Sequence, residues 1–280
     1  MIEIVEKKVL VDALGVKITQ LKVAAPLIAK KAKPGQFIVV MVVEEGERIP
    51  LTVVDKDIEA GTITLIVQEI GLTTKLLGKL DKGKFIYAIV GPLGHNTEIK
   101  KYGKVILIGG GVGIAEIYPV AVELKAVGNQ VTTILGSRTK DLLILEDELK
   151  AASDELFVAT DDGSYGQKGF TTDILKELIA GEGKSHPYDL IYAVGPIPMM
   201  KNVFLAAKDS GAKILVSLNS LMVDATGMCG SCRVNIGGKV KFTCIDGPEF
   251  DASLVDWDEL TKRNKIYEDK EKHICKLYKL

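Results

Sequence analysis

Apolar and polar side chains alternate through much of the first ninety residues. Val16-Lys17-Ile18-Thr19-Gln20-Leu21-Lys22-Val23, Thr62-Ile63-Thr64-Leu65-Ile66-Val67 and Lys84-Phe85-Ile86-Tyr87-Ala88-Ile89-Val90 each show the period of two that lets a strand bury one face. Turn chemistry separates them at Lys33-Pro34-Gly35-Gln36 and Glu59-Ala60-Gly61. Short strands punctuated in this way predict a small β-barrel or sandwich. From about residue 103 the texture changes. The apolar run Val105-Ile106-Leu107-Ile108 enters Gly109-Gly110-Gly111-Val112-Gly113, a helical pattern follows to about Val127, and a further strand is expected over 131–135. More strands over 156–159, 190–194 and 212–216, with helices between them, predict a parallel sheet. The charged stretch from Asp256-Trp257-Asp258-Glu259-Leu260 onward reads as a surface helix or a partner contact.

The richest chemistry lies between these two regions and the end. Asp224-Ala225-Thr226-Gly227-Met228-Cys229-Gly230-Ser231-Cys232 is followed, after eleven residues, by Cys244. With cysteine at position 224 the spacing would be the C-x4-C-x2-C…C by which plant-type proteins hold a [2Fe–2S] cluster. Gly227 and Gly230 give the loop its freedom, and Gly237-Gly238 predicts the hairpin that returns Cys244 to it. A structural zinc and three buried thiols without metal stay open as alternatives. Zinc usually closes its site with four Cys or His ligands, and no His lies in this segment, so iron–sulfur is favoured. Asp224 reads either as a turn residue or as a ligand whose hard oxygen alters one iron.

Composition narrows the classes. At 280 residues the chain accommodates two ordinary domains and an appendage, and its 47% hydrophobic content supplies their cores. Net charge is −1, from 36 basic and 37 acidic residues interspersed, which argues against nucleic acid or an anionic membrane as a partner. No apolar run is long enough to span a bilayer, and the start Met1-Ile2-Glu3 lacks a basic leader, so a cytoplasmic protein is expected. Three clustered cysteines in that compartment suggest a metal site, while Cys275 reads as an inert side chain.

Two loops suggest a dinucleotide. A glycine run after a strand lets phosphate approach a helix N-terminus, although Ile114 occupies the last position of a G-x-G-x-x-G pattern. Gly195-Pro196 ends a later strand and would face the same crevice at the sheet's C-terminal edge. Gly136-Ser137-Arg138 keeps NADP open beside NAD, since an Arg there can accept a 2′-phosphate. In the β region, Arg48 can pair with a pyrophosphate and Thr52 can bond a flavin ring. Gly71, Thr73 and Thr74 offer donors at the start of a helix over 73–80.

In order and kind, these motifs resemble the ferredoxin-reductase-type family. Within it the chain is most similar to electron-transfer subunits of dihydroorotate dehydrogenase B and to the small subunit of NADH-dependent reduced ferredoxin:NADP oxidoreductases. The resemblance covers nearly the whole chain. It implies an α/β plus β protein: an N-terminal flavin-binding β-barrel (1–97), a parallel-sheet nucleotide-binding domain (98–218) and a small C-terminal [2Fe–2S] segment with a helix (219–280). FAD would lie on Arg48, Pro50, Leu51 and Thr52, where the family's Tyr and Ser are replaced, on Gly71, Thr73 and Thr74, and on Gly91 and Gly94 of Gly91-Pro92-Leu93-Gly94. The nicotinamide side matches Gly110, Gly111, Val112 and Gly113, with Glu116 where many relatives have Pro, then Asp161 and Asp162, and Gly195 and Pro196. Asp224, Cys229, Cys232 and Cys244 match the cluster ligands. Dihydroorotate-type subunits place Cys first, whereas the bifurcating type places Asp first, as here. The implied reaction passes hydride from NADH to the FAD N5 and single electrons through the cluster to a large flavin and [4Fe–4S] partner in a heterodimer. Ferredoxin and NADP(H) are reached indirectly. A dihydroorotate-linked subunit, a stand-alone NAD(P)H-flavin reductase and a non-catalytic nucleotide-binding module are the alternatives.

Overall fold

The computed structural model describes residues 1–181, 188–267, 270, 273 and 274, so Cys275 lies outside the described residues. Two compact units emerge. One joins Met1–Asn96, Ser220–Pro248 and the segment from Asp256 onward; the other joins Thr97–Asn219 and Glu249–Val255.

The first unit begins with β1 (Ile2–Ala13), β2 (Val16–Ala24), α1 (Pro26–Lys31), β3 (Phe37–Met41), β4 (Arg48–Thr52), β5 (Asp55–Asp57), β6 (Thr62–Gln68), α2 (Leu72–Gly78), β7 (Phe85–Ile86) and β8 (Ala88–Leu93). The barrel is made of two sheets, ordered β5-β6-β2-β1-β7 and β4-β3-β8. They share a core of Ile4, Leu21, Val23, Ile38, Val40, Ile63, Leu65 and Ile86, with Leu77 of α2 and Ile28 of α1 added from the helices. Apolar burial at roughly 25 cal/mol per Å² is what holds such sheets face to face.

The second unit runs β9 (Lys104–Gly110), α3 (Gly113–Ala126), β10 (Gln130–Ser137), α4 (Glu146–Ala151), β11 (Glu155–Thr160), β12 (Gln167–Lys168), α5 (Thr171–Gly181), β13 (Leu190–Val194), α6 (Ile197–Ala207) and β14 (Lys213–Ser217). These strands pair in parallel, and their central members are continuous apolar runs because helices cover both faces.

The remaining chain divides between the units. β15 (Arg233–Ile236) and β16 (Lys239–Phe242) form a hairpin, and α7 (Thr243–Asp246) carries Cys244. β17 (Glu249–Asp251) then adds antiparallel to β14, giving the order β12-β11-β10-β9-β13-β14-β17. The last described helix, α8 (Trp257–Asn264), begins with Asp256 accepting the Glu259 N–H at 2.9 Å and buries Trp257 and Leu260. Among the described residues no helix is long and apolar enough to cross a membrane.

β17 brings a carboxylate inside. Glu249 Oε1 accepts the Tyr192 hydroxyl at 2.9 Å and also the Thr97 hydroxyl. Burial holds the Glu249 carboxyl above its usual range, against the opposing pull of these two donors and Lys213. The folded chain therefore binds this proton more tightly than the unfolded chain. Its contribution is complete below the unfolded value near 4.5 and is lost as pH rises through the folded one. Glu249→Gln, which keeps an oxygen acceptor, is expected to flatten the decline of Tm over that interval; an unchanged Tm-against-pH profile would remove Glu249 as its source.

Candidate functional site

The cysteine loop is tied down from several sides. The Thr243 N–H and hydroxyl both donate to Cys232 O at 3.2 Å, which brings Cys232 Sγ within 3.3 Å of Cys244 Sγ. Ser220 Oγ also meets the Thr243 hydroxyl. Asp246 closes α7 by accepting the Phe242 N–H at 2.8 Å and Lys241 Nζ at 2.9 Å, bonds that hold its carboxyl low. From α8, the Arg263 guanidinium donates to Ser231 O at 2.9 Å and Arg233 O at 3.2 Å. Helix α8 thus braces the loop, a role its charged sequence did not announce.

Sulfur electrostatics differ around this loop. Cys232 and Cys244 are buried and Cys229 is exposed. Burial, then the neighbouring Cys232 thiol, pushes Cys244 up to about 12, opposed by the Gly227 N–H aimed at its sulfur. Cys229 is lowered, first by the Ser231 hydroxyl and then by the backbone N–H groups of Ser231 and Asp224. Among the described residues no three Cys, His, Asp or Glu side chains stand at metal-holding spacing. Cys232 and Cys244 are brought together, Cys229 makes its hydrogen bond with Ser231, and the Asp224 carboxylate accepts the Thr226 hydroxyl at 2.7 Å. The donor set nevertheless suits a sulfur-bound iron centre. Backbone N–H groups directed at thiol sulfurs favour the thiolate form, which is the form that binds metal.

The loop rests on the barrel. Strand alternation sends Ile38 and Val40 of β3 into the barrel core, while Phe37 and Val39 pack against Ala225, Cys232 and Cys244. In the antiparallel register Phe37 lies opposite Thr52, Val39 opposite Pro50 and Met41 opposite Arg48. Arg48, Pro50 and Thr52 therefore share the sheet face that carries the cysteine loop, one strand away. Leu51 points the other way, against the core, leaving its backbone for any ligand on this face. Gly94 links the same elements: its φ is +72°, and a Cβ there would stand 2.8 Å from Phe37 and 2.9 Å from Pro248. Gly91 lies on β8, where a Cβ would stand 2.7 Å from Ile38. At α2 the Thr74 hydroxyl accepts the Ile70 and Gly71 N–H groups, and the Thr73 hydroxyl donates to Glu47 at 2.8 Å. The Thr74 hydroxyl thus closes the helix start, while that of Thr73 is tied to Glu47.

In the other unit the two glycine loops meet. β9 and β13 are neighbours whose connections leave in opposite directions across the sheet, the switch point at which such folds bind ligands. A Cβ on Gly113 would stand 2.6 Å from Val194 O, and one on Gly195 would stand 3.2 Å from Gly110 Cα. Gly110 likewise leaves no room beside Met199 and Pro196, whereas Gly111 faces open space with φ +58°. Val112 precedes α3, and Pro196 precedes α6. The bare backbone forms a cradle that a side chain would fill. Asp161 and Asp162 are exposed at the end of β11. The Asp161 N–H donates to Ser137 O at 3.1 Å and the Asp162 N–H to Arg138 O at 3.3 Å, joining the loops after β10 and β11.

Comparison with known proteins agrees with this layout. Residues 107–204 match the oxidoreductase NAD-binding domain, and residues 219–256 match the iron–sulfur cluster binding domain of dihydroorotate dehydrogenase B. A dihydroorotate dehydrogenase B (NAD+) electron transfer subunit homolog of Thermotoga maritima is 51% identical over 248 residues, 89% of this chain and 86% of that one. The electron transfer subunit of Geobacillus thermodenitrificans is 34% identical over 245 residues, covering 84% and 91%. A chain of the NADH-dependent reduced ferredoxin–NADP oxidoreductase structure, studied for flavin-based electron bifurcation, superposes with a TM-score of 0.91 at 47% identity, covering 99% and 98%.

Two outcomes are expected from the geometry. Metal-free chain exposed to iodoacetamide should be alkylated at Cys229 on the order of tenfold or more faster than at Cys244, read by peptide mass spectrometry; equal rates would contradict the contrast in burial. Gly113→Ala should cost roughly 1–3 kcal/mol through overpacking against Val194, seen as a lowered denaturation midpoint.

Proposed function

The chain belongs to the electron-transfer subunits of the dihydroorotate dehydrogenase B type, and from that premise we propose that it connects NAD(H) with a large flavin and [4Fe–4S] subunit. The observation that carries the reading is that the cysteine loop and the outward residues of β4 share one face of one sheet. When bound, FAD exchanges electrons in pairs or singly and a [2Fe–2S] cluster carries them singly.

The chain's own residues hold and orient these groups. Arg48 offers a guanidinium to a pyrophosphate, Pro50 and the Leu51 backbone form the shelf, and Thr52 supplies a hydroxyl to the flavin ring. Gly71, Thr73 and Thr74, with Gly91 and Gly94, complete the FAD side. Cys232 and Cys244, already adjacent, would hold the cluster together with Cys229 and Asp224. Thr226 keeps the Asp224 carboxylate oriented. NAD(H) lies in the cradle of Gly110, Gly111, Val112 and Gly113, faced by Gly195 and Pro196, with Asp161 and Asp162 on the neighbouring loop. Arg138, exposed beside that loop, keeps NADP(H) a competing ligand.

Around the cysteines, Val223, Met228 and Ile245 are 53%, 88% and 47% exposed, an apolar collar suited to the partner subunit. Ferredoxin is reached through that partner, which also gives an indirect route to NADP(H). The Asp at position 224 favours the bifurcating type over a dihydroorotate-linked subunit, whose pattern begins with Cys.

Anaerobic preparations are expected to contain FAD, iron and acid-labile sulfide, and to show a [2Fe–2S] EPR signal on reduction with NADH. A colourless, iron-free protein would overturn the reading. Met228→Asp is expected to weaken capture of the large subunit roughly tenfold or more while leaving cluster content intact; unchanged affinity in a titration would move the docking face elsewhere.

A further inference from the structure

Ser231 lies between two of the cysteines, and its hydroxyl is constrained from both sides. Ser231 Oγ is 3.1 Å from Cys229 Sγ and also accepts the Val223 N–H at 3.1 Å. A hydroxyl has one proton and two lone pairs, whereas a backbone amide can only donate. The Val223 amide therefore occupies one lone pair, and against a thiolate sulfur, which can only accept, the hydroxyl is the donor. The rest of the residue is fixed independently. Arg263 donates from α8 to Ser231 O at 2.9 Å, and the same guanidinium holds Arg233 O at 3.2 Å, two residues further on.

We propose that Ser231 is a positioning residue whose hydroxyl donates a hydrogen bond to the Cys229 thiolate and raises the reduction potential of the cluster that this thiolate helps to hold. The inference rests on the reading of Cys229 as a cluster ligand. A ligand thiolate passes electron density to iron, and a proton shared with the sulfur draws part of it back. The reduced cluster, richer by one negative charge, gains more from the donor than the oxidised cluster does. Without the hydroxyl, the reduced state loses more stabilisation than the oxidised state, and the potential falls. Val223 and Arg263 act through Ser231, each fixing where its proton points.

EPR-monitored redox titration of the full chain, purified anaerobically with its cofactors, tests this. Ser231→Ala is expected to disfavour cluster reduction about tenfold, which for a one-electron couple is about 59 mV downward. Ser231→Thr keeps the hydroxyl and should stay at the wild-type value, with the flavin midpoint unmoved in both variants. A Ser231→Ala potential equal to wild type, or a Ser231→Thr potential that falls as far as Ser231→Ala, overturns the proposal. Should Ser231→Ala fail to retain its cluster, Ser231→Gly takes its place in the same titration: a potential lowered as stated supports the proposal, and one equal to wild type overturns it. A preparation lacking iron and labile sulfide removes the cluster reading itself, and this proposal with it.

Discussion

A five-residue strand with two buried faces governs the first unit. β3 sends Ile38 and Val40 into the barrel core and Phe37 and Val39 toward the cysteine loop, so one strand registers both. A slip of one residue would exchange the two sets, placing core side chains under the loop and loop contacts in the core. Because the loop and Arg48, Pro50 and Thr52 are referenced to the same strand, the proposed flavin shelf and the cysteines are set in place together. Thr243 performs the corresponding task within the loop. By donating twice to Cys232 O, it makes the spacing of two sulfurs a matter of backbone geometry rather than of side-chain choice.

Much of this was legible in the sequence because the signals were local. Alternation marked β2 and β6, apolar runs marked β9 and β13, and the glycines marked the cradle that closes against Val194. β3 was illegible for a physical reason. Phe37-Ile38-Val39-Val40-Met41 is apolar throughout because both its faces are covered, so periodicity could not reveal that it serves two partners. The division of the barrel into two sheets depends on pairings distant in sequence, which no local pattern encodes. Asp224 shows the converse. Its position in the motif speaks for ligation, yet its side chain accepts a bond from Thr226, so spacing alone did not disclose its local partner. Arg263 and Ser231 carried no periodic signal, and their roles come from where α8 meets the loop.

The polar interior of the second unit follows the same logic of completed hydrogen bonding. A carboxyl carried inward by β17 is tolerated because the hydroxyls of Tyr192 and Thr97 converge on one of its oxygens. The glycine cradle is the opposite solution. There the chain leaves backbone exposed by omitting side chains, and Gly110, Gly113 and Gly195 are the residues that permit two loops to approach so closely.

The route of the chain has a consequence for how such proteins can be recombined. The polypeptide passes from one unit to the other at four places, between residues 96 and 97, 219 and 220, 248 and 249, and 255 and 256. Exchanging the nucleotide-binding module between relatives by a single splice at each end of 97–219 would strip β14 of its antiparallel neighbour and leave a sheet edge open to aggregation. A chimera must instead graft two separate segments, the longer one and the seven residues 249–255. Inheritance of the halves as independent cassettes is thereby discouraged.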